Sequence, residues 1–437
     1  MDIFFFFLPF KGLKPLKGSK FNETNNRNSC QMICKFKTIL LTACLIISVF
    51  LQAQTITQFR GPLRDGKYPE TNLLKAWPSE GPAQLWKIEG IGNGYSSPIV
   101  AGDRIYVTGE IDSIGYLFAY NKSGNLIWKK KTGAEWMTNF TGSRSTPTLV
   151  GDLLYVETSM GRVICFDATT GTEKWSVDML KDLHGVNVRF GYSEGLLIND
   201  KLVYCFPGGP DTNAVALDRF SGKIKWVSKA LGDSTAYASP ALINLPSRQV
   251  IANFTIHNFI GLDASTGELL WSRQLNGPGD IQANTPLFDN GFLYYGTGGG
   301  NGIVKLALST DGRSITEIWT SPKVSDVHGG FVKVGNYIFS SQYKPRRYCS
   351  VDVNTGQITD SLKFDKGSLI EADDMLYLYT EKGMVGLASQ NNGKMELVSS
   401  LKMPVGNKEF FTIPVISEGV LYLRHGDAML AYDIRKK

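Results

Sequence analysis

The chain has few of the residues from which redox and metal sites are built. It holds six cysteines and four histidines in 437 residues. Cys30, Cys34 and Cys44 fall within the first 53 residues, which leaves Cys165, Cys205 and Cys349, each in a different strand-like segment. Three cysteines allow at most one disulfide, so a disulfide-stapled scaffold is excluded, and they are expected to be small buried residues. No Cys-x-x-Cys-His occurs, which excludes covalently attached c-type haem. His184, His257, His328 and His425 lack metal-ligand spacing. Gly298 to Gly302 is glycine-rich, but no helical pattern follows it, so it reads as a hairpin tip rather than a phosphate loop.

An excess of one charge is also missing. The formal net charge of +6 comes mostly from residues 1–53, which hold seven Lys/Arg and two Asp/Glu; the remainder carries 39 basic and 38 acidic residues. That balance gives no footprint for nucleic acid. The one long apolar run, 38–51, follows Lys35 and Lys37 and ends at Gln52-Ala53-Gln54, the layout of a secretory signal peptide; it is short for a membrane span. Residues 32–53 are therefore read as the signal peptide. Residues 1–31 are read as an extended leader or the product of a misassigned start ahead of Met32. Leu41 to Cys44 has the look of a lipoprotein box, but the apolar run continues past Cys44, which argues against a lipid anchor there. The expected location is the periplasm or cell envelope, with no transmembrane span in the mature chain.

What the sequence does have is a repeat of about 45 residues. AYNKSGNLIW (119–128), FDATTGTEKW (166–175), LDRFSGKIKW (217–226) and LDASTGELLW (262–271) each place a glycine four residues before a tryptophan. Each unit opens on a small residue, often before proline, as in Ser97-Pro98 or Thr285-Pro286. A short apolar strand follows, then a two-residue turn such as Gly102-Asp103 or Asn290-Gly291, then a β-branched and aromatic strand such as RIYV (104–107). A third strand ends in Asp, and a Thr/Ser-Gly turn leads to a fourth. Units begin near Ser97, Thr146, Glu194, Ser239, Thr285, Gly329, Ser368 and Ile413. The expectation is an all-β, eight-bladed β-propeller of four-stranded antiparallel blades over residues 84–437. The eighth unit ends three strands in, and Gln84 to Ile88 supplies a tryptophan-bearing strand without a blade, so this amino-terminal strand should close the last blade. Residues 54–83 are then an extension packed on the propeller, and one propeller fills the length, expected as a monomer.

These tryptophan motifs resemble those of the PQQ-like propeller family, which includes pyrroloquinoline-quinone (PQQ) dehydrogenases and the propeller subunit of the outer-membrane β-barrel assembly machine. The segments FRGPLRDGKYP (59–69) and VHGGFVKVGNYIF (327–339) are similar to a secreted bacterial subgroup of it. The resemblance implies a structural, blade-docking role for Trp86, Trp128, Trp175, Trp226, Trp271 and Trp319. It also implies two functions of different kinds. One is a scaffold that binds an envelope protein through its loops. The other is a PQQ- and calcium-dependent dehydrogenase of alcohols or sugars.

Function has to be read from sites, not from the fold. The connections leading into each first strand line one mouth of a propeller channel. Here they contribute Tyr95, Arg144, Arg189, Tyr192, Tyr237, Gln282, Asn284 and His328, an uneven polar and aromatic set suited to a small polar ligand or a partner peptide. Arg144→Ala and Arg189→Ala are expected to leave stability nearly unchanged. A PQQ dehydrogenase needs oxygen ligands for Ca²⁺ and a carboxylate base. The mouth carboxylates Glu194, Asp233, Asp280, Asp326, Asp365 and Glu409 are scattered over six connections, and no adjacent cysteine pair exists. The leading expectation is thus a binding or scaffold protein with no assigned cofactor and no assigned catalytic residue, with PQQ and calcium as the alternative.

Overall fold

The computed structural model describes residues 56–276, 281–298, 300–325 and 328–437. The leader readings (1–31, 32–53 and Cys44) and the carboxylates Asp280 and Asp326 lie outside these residues. The described residues contain no helix, and their strands form eight sheets in a closed series.

Each sheet follows the order read from the repeat. In blade 1, Ile99–Ala101, Arg104–Ile111, Ile114–Asn121 and Leu126–Ala134 pair antiparallel in sequence order. The tight turns need left-handed backbone, and Asn290 (φ 49°) with Gly291 (φ 83°) supplies it in blade 5. Facing blades bury their apolar faces against each other. Tyr106, Leu117 and Ala119 of blade 1, for example, meet Leu154, Ile164 and Phe166 of blade 2. Each such aliphatic or aromatic side chain contributes about 1.5–3 kcal/mol on burial. Cys165, Cys205 and Cys349 are free thiols inside this packing.

The repeat motif is a joint between neighbours. The Trp128 indole donates to the Thr169 carbonyl (3.1 Å), Trp175 to Arg219 (3.0 Å), Trp226 to Ala264 (3.1 Å), Trp319 to Val353 (3.0 Å) and Trp86 to Lys122 (2.7 Å). In every case the acceptor is the residue one or two after the aspartate or asparagine that opens the next blade's turn. Trp271 has no such acceptor, because the turn it faces, between Gly302–Leu308 and Ile315–Ser321, is longer than the others.

The ring closes as read. Ala83–Glu89 pairs antiparallel with Ala428–Asp433, with Trp86 opposite Ala431 and its ring 5.9 Å from that of Tyr422.

Residues 56–77 do more than lie on the surface. Ile56–Thr57 adds to the innermost strand of blade 2, Thr148–Val150, and Lys67–Tyr68 runs parallel to the innermost strand of blade 7, Gly367–Ala372. Blades 2 and 7 therefore have five strands. Between those points the chain straps the central channel. Arg64 donates to the carbonyls of Gly195 (2.8 Å), Pro240 (3.2 Å) and Leu196, and to Gln58 Oε1 (2.6 Å). Arg60 donates to the Phe331 carbonyl (2.6 Å). Both arginines are buried and adopt positive φ. The strap thus ties blades 3, 4 and 6 through one segment. Downstream, the Glu70 carboxylate accepts from the amides of Glu418 and Gly419 in blade 8, and Trp77 packs against Tyr377 of blade 7.

Candidate functional site

The connections into the first strands, and the turns between second and third strands, share one face of the disc because strand direction alternates within each blade. At the centre of that face is a basin of about 410 Å³. Phe59 of the strap is among its lining residues. A chain of ring contacts runs round it: Tyr95 to Phe411 (5.6 Å), Phe411 to Phe140 (5.7 Å), Phe140 to Phe190 (5.8 Å) and Phe190 to Tyr237 (5.8 Å). His328 stands edge-on to Phe411 at 4.7 Å. Aromatic residues from five connections thus converge on one hollow.

The polar groups divide into two sides. On one, Arg144 donates to the carbonyls of Gly142 (2.9 Å), Asn139 (2.9 Å) and Phe140 (2.6 Å). It braces its own loop, and burial holds its guanidinium below the ordinary arginine range. Tyr95 donates to Glu409 Oε2 (2.6 Å), and burial, reinforced by that carboxylate, pushes the phenol up. On the other side, Glu381 accepts from Lys366 (2.7 Å) and faces His328 Nε2 (3.4 Å) and Arg346 (3.5 Å). Burial alone would raise the Glu381 carboxyl, but His328 and Lys366 outweigh it and hold the group below the usual carboxylate range. The Lys366 ammonium also sits 3.6 Å from the centre of the Tyr343 ring.

Of the eight mouth residues read from sequence, Tyr95, Arg144, Tyr237 and His328 line the basin together. The other four do not. Tyr192 is buried, with its hydroxyl on the Pro207 carbonyl (2.6 Å), and fills the seam against Gly161. Asn284 bridges the Gly296 carbonyl and the Gly330 amide (3.0 and 2.9 Å) between blades 5 and 6. Gln282 is fully buried, and its carbonyl receives the Tyr237 amide (3.0 Å). Arg189 is exposed and lies over the Phe190 ring. These residues are close to the mouth in sequence, but their side chains turn into the seams or out to water. Arg144 bonds to three backbone carbonyls, an arrangement that argues against its being dispensable for stability. Sequence reasoning missed Phe140, Phe190 and Phe411, whose signal was a phenylalanine in each of three mouth connections. It also missed Lys366, Glu381 and Tyr343, which carried no signal.

A second cluster lies in the wall. Glu157 and Glu194 are buried together between blades 2 and 3, their carboxyls close enough to interact with each other. Burial, and for Glu157 also its neighbour's charge, raises both carboxyls, Glu194 to about 8. The pair persists by remaining protonated.

This donor set does not fit PQQ with calcium. No three His, Cys, Asp or Glu side chains among the described residues converge as a cation would require. The basin carboxylate Glu381 is already engaged by cations.

Fold, motif joints and mouth basin define a PQQ-like eight-bladed β-propeller. The family model described as outer membrane protein assembly factor BamB matches residues 69–159 and 113–359. The chain belongs to that family. It is 26% identical over 256 residues to the outer membrane protein assembly factor BamB of Burkholderia pseudomallei, a match spanning 48% of this chain and 64% of that protein. Among solved structures, BamB from Moraxella catarrhalis superposes with a TM-score of 0.58 at 15% identity, over 80% of this chain and 99% of that one. The quinohemoprotein alcohol dehydrogenase of Pseudomonas putida HK5 gives 0.60 at 13% identity, over 85% and 79%. At such identities the two structures share the fold with this chain.

Proposed function

We propose that the protein is exported and acts in the cell envelope as a monomeric scaffold, binding a component of outer-membrane protein assembly through its mouth face. The observation that carries this is an apolar sector on the loops leading into blades 2, 3 and 4. Met137, Phe140, Val186 and Leu231 are each at least 41% exposed there. Clustered apolar side chains on the loops of a rigid ring mark a protein-binding surface. The named role of the relatives as assembly factors and the signal-peptide layout of residues 32–53 support the setting.

The test is affinity purification of the tagged chain from its own envelope, comparing wild type with a Phe140→Asp/Val186→Asp double variant and with Ile224→Asp on an exposed outer strand. Outer-membrane assembly proteins should accompany the wild type and Ile224→Asp and be lost with the double variant, at unchanged melting temperature. Equal recovery with all three chains would refute the docking face. Exclusive recovery of proteins unrelated to outer-membrane assembly would refute the partner.

A further inference from the structure

We propose that the basin lined by Phe59 binds a flexible apolar chain ending in a single carboxylate, a medium-chain acyl anion. This goes beyond the docking of a protein on the outer loops, because the ligand enters the hollow between those loops.

Three observations carry it. The first is the wall. Phe59, Phe140, Phe190, Phe411 and Tyr237 supply ring surface, whereas several of the wall hydroxyls are already engaged. Ser193 donates to the Tyr237 carbonyl (3.2 Å), Ser239 accepts from the Gly195 amide (2.8 Å) and Thr146 accepts from the Ser97 amide (3.0 Å). An apolar body is therefore matched better than a sugar, whose hydroxyls need unoccupied partners.

The second is ring geometry. Neighbouring rings meet at 38–60°, an uneven apolar surface that a bending chain can follow.

The third is charge, which decides between an anionic and a cationic head. Aromatic walls alone would also suit an ammonium group. Arg144, however, makes backbone bonds and no ion pair among the described residues, with Glu135 and Glu409 acting on it only at longer range. Across the basin, buried Lys366 engages Glu381, and the more exposed and partly screened Arg346 and Lys382 share Asp365, an excess of one positive charge among the described groups there. Glu409 on the rim is exposed and hydrogen-bonded to Tyr95, and water screens it. Among the described residues, the balance of charge on both sides favours a carboxylate over an ammonium.

The experiment is isothermal titration of the mature chain with octanoate, octanol and octyltrimethylammonium, followed by the carboxylate series from butanoate to decanoate. Octanoate should bind at least tenfold more tightly than either analogue. Affinity should rise about three- to fourfold per added methylene until the hollow is filled. Ala283→Phe, which fills the basin from its wall, should weaken octanoate at least tenfold. Ser193→Trp is a second block should the first variant fail to fold. Equal affinity for the three head groups, preference for the ammonium, or octanoate binding unchanged in a folded blocking variant would each overturn the proposal. None of these outcomes bears on partner capture by the outer loops, which is read separately.

Discussion

Gly222 lies flat against the indole of Trp175, so closely that a Cβ on Gly222 would sit 2.8 Å from the ring. The two residues belong to successive repeats, and the same contact recurs between Gly171 and Trp128, Gly267 and Trp226, and Gly356 and Trp319. The glycine also holds a positive φ (69°). Gly222→Ala should therefore cost about 1–3 kcal/mol, from the clash and the backbone strain together. Urea unfolding of the variant against Gly335→Ala, which has positive φ but open space at Cβ, separates the two contributions.

Arg64 is the anchor of the strap. Arg64→Ala removes bonds to three buried carbonyls at the starts of blades 3 and 4, of which Leu196 keeps the Thr148 hydroxyl as a donor. The expected loss is about 2–4 kcal/mol. Limited proteolysis should then cut between residues 56 and 68, a segment protected in the parent.

The arginines of the mouth should part company. Arg144→Ala should destabilise by about 1–2 kcal/mol, since it releases the carbonyls of the loop carrying Phe140. Arg189→Ala, at an exposed site, should stay within about 0.5 kcal/mol. Paired thermal melts of the two variants check this, and similar melting temperatures would contradict the brace assigned to Arg144.

The repeat made most of the fold legible, because Gly, Trp and Asp at fixed spacing each have a mechanical duty that leaves a trace in every copy. Closure by Gln84 to Ile88 followed from counting strands. The strap was invisible because Arg60 and Arg64 occur once and reach the blades through backbone carbonyls, which have no sequence signature. The basin was half legible for a related reason. Loop position shows which segment reaches the mouth, but the rotation of each side chain depends on the neighbouring blade. Tyr192 and Asn284 turned into seams, while Lys366 and Glu381 met from segments fifteen residues apart.

The Glu157–Glu194 pair gives a pH dependence with a definite sign. Both carboxyls are raised in the folded protein, Glu194 to about 8, from an ordinary value near 4.5. The folded state therefore holds protons that the unfolded chain has released. Stability is greatest below about pH 4.5 for this pair and is lost as pH rises towards 8. Glu157→Gln should flatten that slope. The measurement is the difference in urea midpoint between parent and variant from pH 5 to 8.5, and a parallel pair of curves would contradict it.

Closure by the amino-terminal strand has a consequence for biogenesis. A chain delivered amino end first, as in synthesis, presents Ala83–Glu89 early, while its mate Ala428–Asp433 arrives last. Leu85 and Trp86 must wait unpaired through nearly the whole of delivery. Joining them closes one of the longest loops among the strand pairs, a pairing whose closure entropy is met only once the rest of the ring is in place.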